Sequence, residues 1–122
     1  MPNKFISCYD CRVSEPLQIT PHEVKQRLDS GEKLRLVDVR EPFEFRQAHI
    51  EGSELIPIRS VPQSLPSLEG EEAPVIVFCH HGMRSLQVVG WLREQGVEQC
   101  SSMEGGIDRW SLEIDPAVPR YV

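Results

Sequence analysis

No stretch of this 122-residue sequence is apolar for the length a bilayer demands, so nothing in it reads as a membrane-spanning helix. There is no basic excess either: 13 Lys and Arg stand against 19 Asp and Glu, a formal net charge of -6. That balance disfavours nucleic-acid and anionic-membrane partners, which call for a basic face. Met1 to Val13 lacks the apolar centre of a secretory signal, being broken by Asn3, Lys4, Asp10 and Arg12, and the expected location is cytoplasmic. Cysteine is scarce, with four residues at positions 8, 11, 79 and 100. With no signal to send the chain to an oxidising compartment, these are read as thiols rather than two disulfides. Internal repeats and low-complexity segments are also missing, which removes solenoids and linker arrays.

What is present suits one modest domain, since 39% of the residues are hydrophobic. Residues 1–18 are expected to form an N-terminal extension of uncertain order, and residues 19–122 the domain, with the Pro-punctuated tail from Pro116 to Val122 outside the core. Thr20-Pro21-His22-Glu23 carries a helix start: a capping threonine, a proline at the first position and a glutamate three residues on. That helix runs to about Ser30. Leu34 to Val39 reads as a buried strand, ended by Arg40-Glu41-Pro42, with Pro42 opening a short helix. Leu55 to Ile58 is a shorter extended segment, and Pro62 and Pro66 leave room between them for one helical turn only. Val75-Ile76-Val77-Phe78 is a continuous apolar run of the kind found in a central parallel strand covered on both faces. A helix from Ser85 to about Gly96 follows, then a last strand within Val97 to Met103, and a turn at Gly105-Gly106 into a short closing helix. Strands alternating with helices predict an α/β fold, a mostly parallel sheet of about five strands with helices on both faces.

The chemistry gathers where the central strand ends. In open α/β sheets ligands bind at the carboxyl ends of the strands, and Cys79 occupies that position, followed by His80-His81-Gly82-Met83-Arg84 and a helix. Gly82 allows a tight turn that aims amide N–H groups inward beside a helix N-terminus, and Arg84 adds a positive charge. Both favour a charged, nucleophilic sulfur. The plainer reading of Cys79 is a small hydrophobe that closes a strand.

Cys-x-x-Gly-x-Arg-Ser after an apolar strand resembles the active loop of the rhodanese family. Val37-Asp38-Val39-Arg40-Glu41-x-x-Glu44-Phe45-x-x-x-His49-Ile50-x-Gly52-Ser53 is similar to that family's N-terminal signature, and Gly105-Gly106-Ile107-x-x-Trp110 to its C-terminal one. The likeness spans roughly Ile19 to Leu112. It implies a single-domain sulfurtransferase in which Cys79 takes sulfane sulfur from a donor such as thiosulfate, holds it as a persulfide and passes it to cyanide or a thiol acceptor. It also implies a substrate-binding loop of His80, His81, Gly82, Met83, Arg84 and Ser85. Within it Arg84 is expected to hold an anionic donor through its planar fork in preference to a structural ion pair. Asp38, Arg40, Glu44 and His49 are expected to be structural, fixing the loop after their strand, with His49 hydrogen-bonded near the core surface. Ile107 and Trp110 are read as packing on one face of the sheet.

No cofactor and no metal is expected. Two adjacent histidines in a tight loop rarely reach one ion, and the Cys8-x-x-Cys11 spacing lacks the second pair or preceding strand that would give it meaning. The related cell-cycle phosphatases use cysteine and arginine around an oxyanion, but on a loop one residue longer than the six from Cys79 to Arg84. The alternative from another class is a non-catalytic module, or one that delivers sulfur by docking on a relay partner protein.

Overall fold

The computed structural model describes residues 15–121, so Cys8 and Cys11 lie outside the described residues. The elements are β1 (Gln18–Ile19), α1 (Pro21–Asp29), β2 (Arg35–Asp38), α2 (Pro42–Gln47), β3 (Glu54–Leu55), a 3-10 turn (Ile58–Ser60), α3 (Val61–Glu69), β4 (Val75–Phe78), α4 (Met83–Glu94), β5 (Cys100–Met103) and α5 (Gly106–Glu113). The strands form one five-stranded sheet in the order β1-β5-β4-β2-β3. Every pairing is parallel.

Successive side chains of a strand point to opposite faces, and β4 divides the core accordingly. Val75, Val77 and Cys79 join Val61, Leu68, Val88, Val89 and Leu92 on the side covered by α3 and α4. Ile76 and Phe78 join Val24, Met103, Ile107 and Trp110 on the side covered by α1 and α5. The start of α1 follows the sequence signal: Glu23 N donates to Thr20 Oγ1 at 3.1 Å, and Thr20 N donates to Glu23 Oε1 at 2.9 Å. At the start of α2 the Glu44 side chain reaches back in the same way, with Glu41 N donating to Glu44 Oε1 at 2.9 Å.

Three expectations need correction. The stretch around Pro62 and Pro66 is a nine-residue helix, not a single turn. Pro62 sits in its first turn, where no N–H partner is needed, so only Pro66 removes a bond, and burial of Val61 and Leu68 outweighs that loss. The sheet begins at Gln18, inside the segment assigned to the extension: Ser102 N donates to the Leu17 carbonyl, and the Glu15 carboxylate pairs with Arg27. The tail does not lie outside the core, because Val118 is buried with the α1 and α5 cluster and Tyr121 packs against it. No helix among the described residues is long and apolar enough to cross a membrane.

The chain leaves β2 toward β3 on one side and β4 toward β5 on the other. The crevice at the carboxyl ends of β2 and β4 is therefore the switch point where such sheets bind ligands. An apolar cavity of about 220 Å³ lies elsewhere, between α3 and α4, lined by Ile58, Val61, Pro62, Gln87, Val88 and Trp91 and by none of the residues from Cys79 to Gly82.

Candidate active site

Cys79 directly follows β4 and is 1% exposed. Burial alone would suit a hydrophobic filler, but the sulfur faces polar groups. Gly82 N donates to Sγ at 3.1 Å and Ser85 N at 3.4 Å, while the Ser85 hydroxyl lies 3.6 Å away. Ser85 Oγ is in turn 2.7 Å from Ser102 Oγ on β5. Gly82 caps α4 with φ at +106°, a left-handed conformation that side chains resist, and this turn brings its N–H back onto the sulfur. α4 consequently begins at Met83, two residues before the start expected from sequence, and Ser85 donates from its first turn. Two N–H groups beside a helix N-terminus form a cradle for a sulfur anion.

The loop is held from outside by α5. Ile107 N donates to the Cys79 carbonyl at 2.8 Å and Asp108 N to the His80 carbonyl at 3.1 Å. Gly106, at φ +61°, lies so close to these two carbonyls that any β-carbon there would overlap them. Gly105-Gly106 is thus a close-approach site, which explains why two glycines stand together.

Arg84 has a partner within the protein. Its Nη1 and Nη2 donate to Glu44 Oε1 and Oε2 at 2.9 and 3.1 Å, the bidentate pair that the sequence reading ranked second. The pair spans the crevice from α4 to α2. Burial pushes the Glu44 carboxyl up, but Arg84, the Glu41 N–H and the Tyr121 hydroxyl outweigh it and hold the group at about 2. The same hydrogen bonds to Glu44 raise the pKa of Arg84, so it stays charged.

Behind this pair, Asp38 and Arg40 are both fully buried. Arg40 Nη2 donates to Asp38 Oδ2 and to the Ala48 carbonyl, each at 2.6 Å, and its backbone N–H donates to Asp38 Oδ1 at 3.0 Å. Arg40 Nη1 donates to the hydroxyl of Tyr121, also at 2.6 Å. His49 departs from expectation. The extended backbone at Ala48 turns Ala48 and Ile50 inward and His49 outward, where it is exposed, stacked on Phe45 at 4.5 Å, with Nδ1 3.3 Å from the Phe45 carbonyl. Both contacts are to Phe45 of α2.

His80 is sandwiched between His81 and Tyr121, with ring centroids 3.9 and 4.1 Å apart. Burial, reinforced by the neighbouring His81, lowers its pKa. Met83 is 74% exposed at the mouth of the loop. His80, His81 and Asp108 bring ligand-type atoms within 4.8 Å of one another. A metal must lie in the plane of each imidazole it binds, and two stacked rings cannot both aim at one ion; Asp108 is also committed to Arg120 at 2.8 Å. The arrangement is therefore a ring stack, not a ligand set. Cys100 offers no second nucleophile, since its thiol bonds the Val97 carbonyl and burial pushes its pKa up.

The residues that sequence reasoning missed are Ser102 and Tyr121. A pair of serines in a strand otherwise read as core marks Ser102 as a buried hydroxyl needing a partner. Tyr121 carries no comparable signal.

Comparison with known proteins agrees with this geometry. The family model described as Rhodanese-like domain matches residues 20–113. GlpE, a thiosulfate sulfurtransferase of Pseudoalteromonas translucida, is 33% identical over 89 residues, covering 73% of this chain and 84% of that protein. The probable adenylyltransferase/sulfurtransferase MoeZ of Mycobacterium tuberculosis is 33% identical over 105 residues, 84% of this chain but only 26% of the longer protein. The crystal structure of a rhodanese-like domain protein from Staphylococcus aureus matches with a TM-score of 0.73 at 28% identity, over 88% of this chain and 100% of the other. On sequence and structure together, the chain belongs to the rhodanese-like domain family.

Proposed function

We propose that this chain is a sulfurtransferase in which Cys79 carries sulfur as a persulfide. The observation that supports it most directly is the pair of N–H donors, from Gly82 and Ser85, directed at Sγ. A thiolate accepts both, whereas a filler cysteine has no use for them.

With thiosulfate as donor, the Cys79 thiolate attacks the outer sulfur. A new S–S bond forms, the S–S bond of thiosulfate breaks, and sulfite leaves with the electron pair. The acceptor then attacks the outer sulfur of the persulfide. Cyanide forms a C–S bond and leaves as thiocyanate, while the persulfide S–S pair returns to Cys79 as thiolate. Gly82 N–H and Ser85 N–H hold the Cys79 thiolate, and the helix N-terminus favours the negative charge of thiolate and persulfide alike. Arg84 turns one or both arms of its fork from Glu44 to the sulfonate oxygens of the donor. His80, His81 and Met83 form the wall past which donor and acceptor reach the buried sulfur.

One observation favours a protein as the acceptor or donor. In MoeZ the matched segment is about a quarter of a longer protein named for both adenylyl and sulfur transfer. A sulfur-delivery module that docks on a partner protein uses the same Cys79 chemistry, with the exposed Met83 at the rim facing the partner.

The test is intact mass after incubation with thiosulfate, with and without cyanide. Wild type gains one sulfur atom that cyanide removes, and Cys79→Ser gains none. An adduct of equal size on Cys79→Ser overturns the assignment of the nucleophile. No adduct on wild type from thiosulfate or from a protein persulfide overturns the sulfurtransferase reading.

A further inference from the structure

Tyr121 is the last of the described residues, yet it reaches three parts of the site at once. Its hydroxyl accepts from Arg40 Nη1 at 2.6 Å and donates to Glu44 Oε2 at 2.8 Å. Its ring stacks on His80 with centroids 4.1 Å apart and planes 9° from parallel. The tail is fixed for this purpose, with Val118 buried and the Arg120 guanidinium bonded to Asp108 at 2.8 and 3.2 Å.

We infer that Tyr121 is a positioning residue that governs how readily Arg84 leaves Glu44 for an anionic sulfur donor. This rests on the sulfurtransferase reading of Cys79. The Glu44 carboxylate has its acceptor sites filled: Oε1 takes Arg84 Nη1 and the Glu41 N–H, and Oε2 takes Arg84 Nη2 and the Tyr121 hydroxyl. When a sulfonate draws Arg84 away, a buried carboxylate loses two charge-assisted bonds. The Glu41 N–H and the Tyr121 hydroxyl remain and keep one donor on each oxygen, so the loss is tolerable. Tyr121 is a dependable donor because burial, the largest influence, pushes its pKa to about 12. Arg40, anchored on Asp38, fixes where the hydroxyl sits. Without that hydroxyl, Oε2 depends on Arg84 alone and holds it more tightly.

Tyr121→Phe removes the hydroxyl and retains a ring to stack on His80. The expected result is a fall of about fivefold in kcat/KM for thiosulfate, carried by KM, the scale of one hydrogen bond to a charged group partly offset. kcat/KM for cyanide holds, because a small linear nucleophile makes no use of a guanidinium fork. In a Glu44→Gln background, where the carboxylate charge is gone, the same substitution changes kcat/KM for thiosulfate by less than about twofold. Equal losses for thiosulfate and cyanide, or an undiminished effect in the Glu44→Gln background, would reduce Tyr121 to a structural role and overturn the inference. Titration of thiosulfate into Cys79→Ser and Cys79→Ser/Tyr121→Phe reads anion capture without turnover: weaker binding in the second supports the inference, and equal binding overturns it. Absence of turnover in wild type counts against the sulfurtransferase reading alone, since the titration still decides the role of Tyr121.

Discussion

Replacing Gly106 with alanine separates two demands that meet at the start of α5. The first is conformational: at φ +61° a β-carbon costs about 1 kcal/mol in the left-handed region. The second is steric, and it falls on backbone rather than on a flexible side chain, because the new carbon overlaps the carbonyl oxygens of both Cys79 and His80. Relief requires α5 and the loop to part, which strains or breaks the bonds from Ile107 N and Asp108 N, each worth about 1 kcal/mol. The total is about 3 kcal/mol, or a melting temperature lower by about 12 °C for a domain of this size. Gly105→Ala is the control. Its φ of +73° carries the same conformational cost, and its β-carbon meets Cβ and Cδ of Arg109, each at 2.6 Å; Cδ can swing aside, whereas Cβ is fixed to α5 and is relieved by a local shift within that helix rather than by moving the loop. It should cost about 2 kcal/mol, near 8 °C. Because the Cys79 carbonyl is the atom displaced, Gly106→Ala should also slow persulfide formation at temperatures where it is fully folded, and Gly105→Ala should not. Calorimetry and stopped-flow sulfur loading measure the two effects. Equal melting temperatures and equal loading rates in the two variants would refute the claim that α5 buttresses the loop.

Two further outcomes follow from the charges around the crevice. Glu44 is held at about 2 against an ordinary value of 4.5, so its stabilisation is fully present above about pH 4.5 and is lost as pH falls toward 2. The shift corresponds to about 3 kcal/mol. Urea unfolding of wild type and Glu44→Gln should differ most near neutral pH and converge only at about pH 2 and below, and a gap independent of pH would refute it. Arg40→Ala leaves Asp38 charged, fully buried and without its partner, which should cost about 3–5 kcal/mol in urea unfolding. A loss below about 1 kcal/mol would show that the pair is not what fixes the end of β2.

The fold was legible where local chemistry and tertiary packing agree. Pro74 before Val75 to Phe78 and the reciprocal cap at Thr20 and Glu23 each specify an element boundary with no help from distant residues. α3 was illegible for the opposite reason. Pro66 argues against a helix locally, and only the burial of Val61 and Leu68 against the α4 side of the sheet, invisible in a linear pattern, reverses the balance. β1 is two residues long, too short for any periodicity, and exists because β5 offers it an edge.

The site divides along the same line. Cys79, Gly82, Arg84 and Ser85 are neighbours in sequence, and the spacing of the loop motif carried them. Arg84 nevertheless meets Glu44, forty positions away, and a motif that gives Arg84 an anion to bind cannot say that the protein supplies one of its own. This internal carboxylate alters what the site has to do. An arginine left open would attract any passing oxyanion, whereas one already paired yields only to a ligand that satisfies the fork at least as well and leaves Glu44 with other donors. The Glu41 N–H and the hydroxyl of Tyr121 are those donors. The buried Asp38–Arg40 pair, which looks inert when its own strand is considered alone, places that hydroxyl through Arg40 Nη1. The residues read as structural and the residues read as substrate-binding are therefore one hydrogen-bonded chain, running from β2 through the tail and α2 to the first turn of α4, and its far end is the guanidinium beside Cys79.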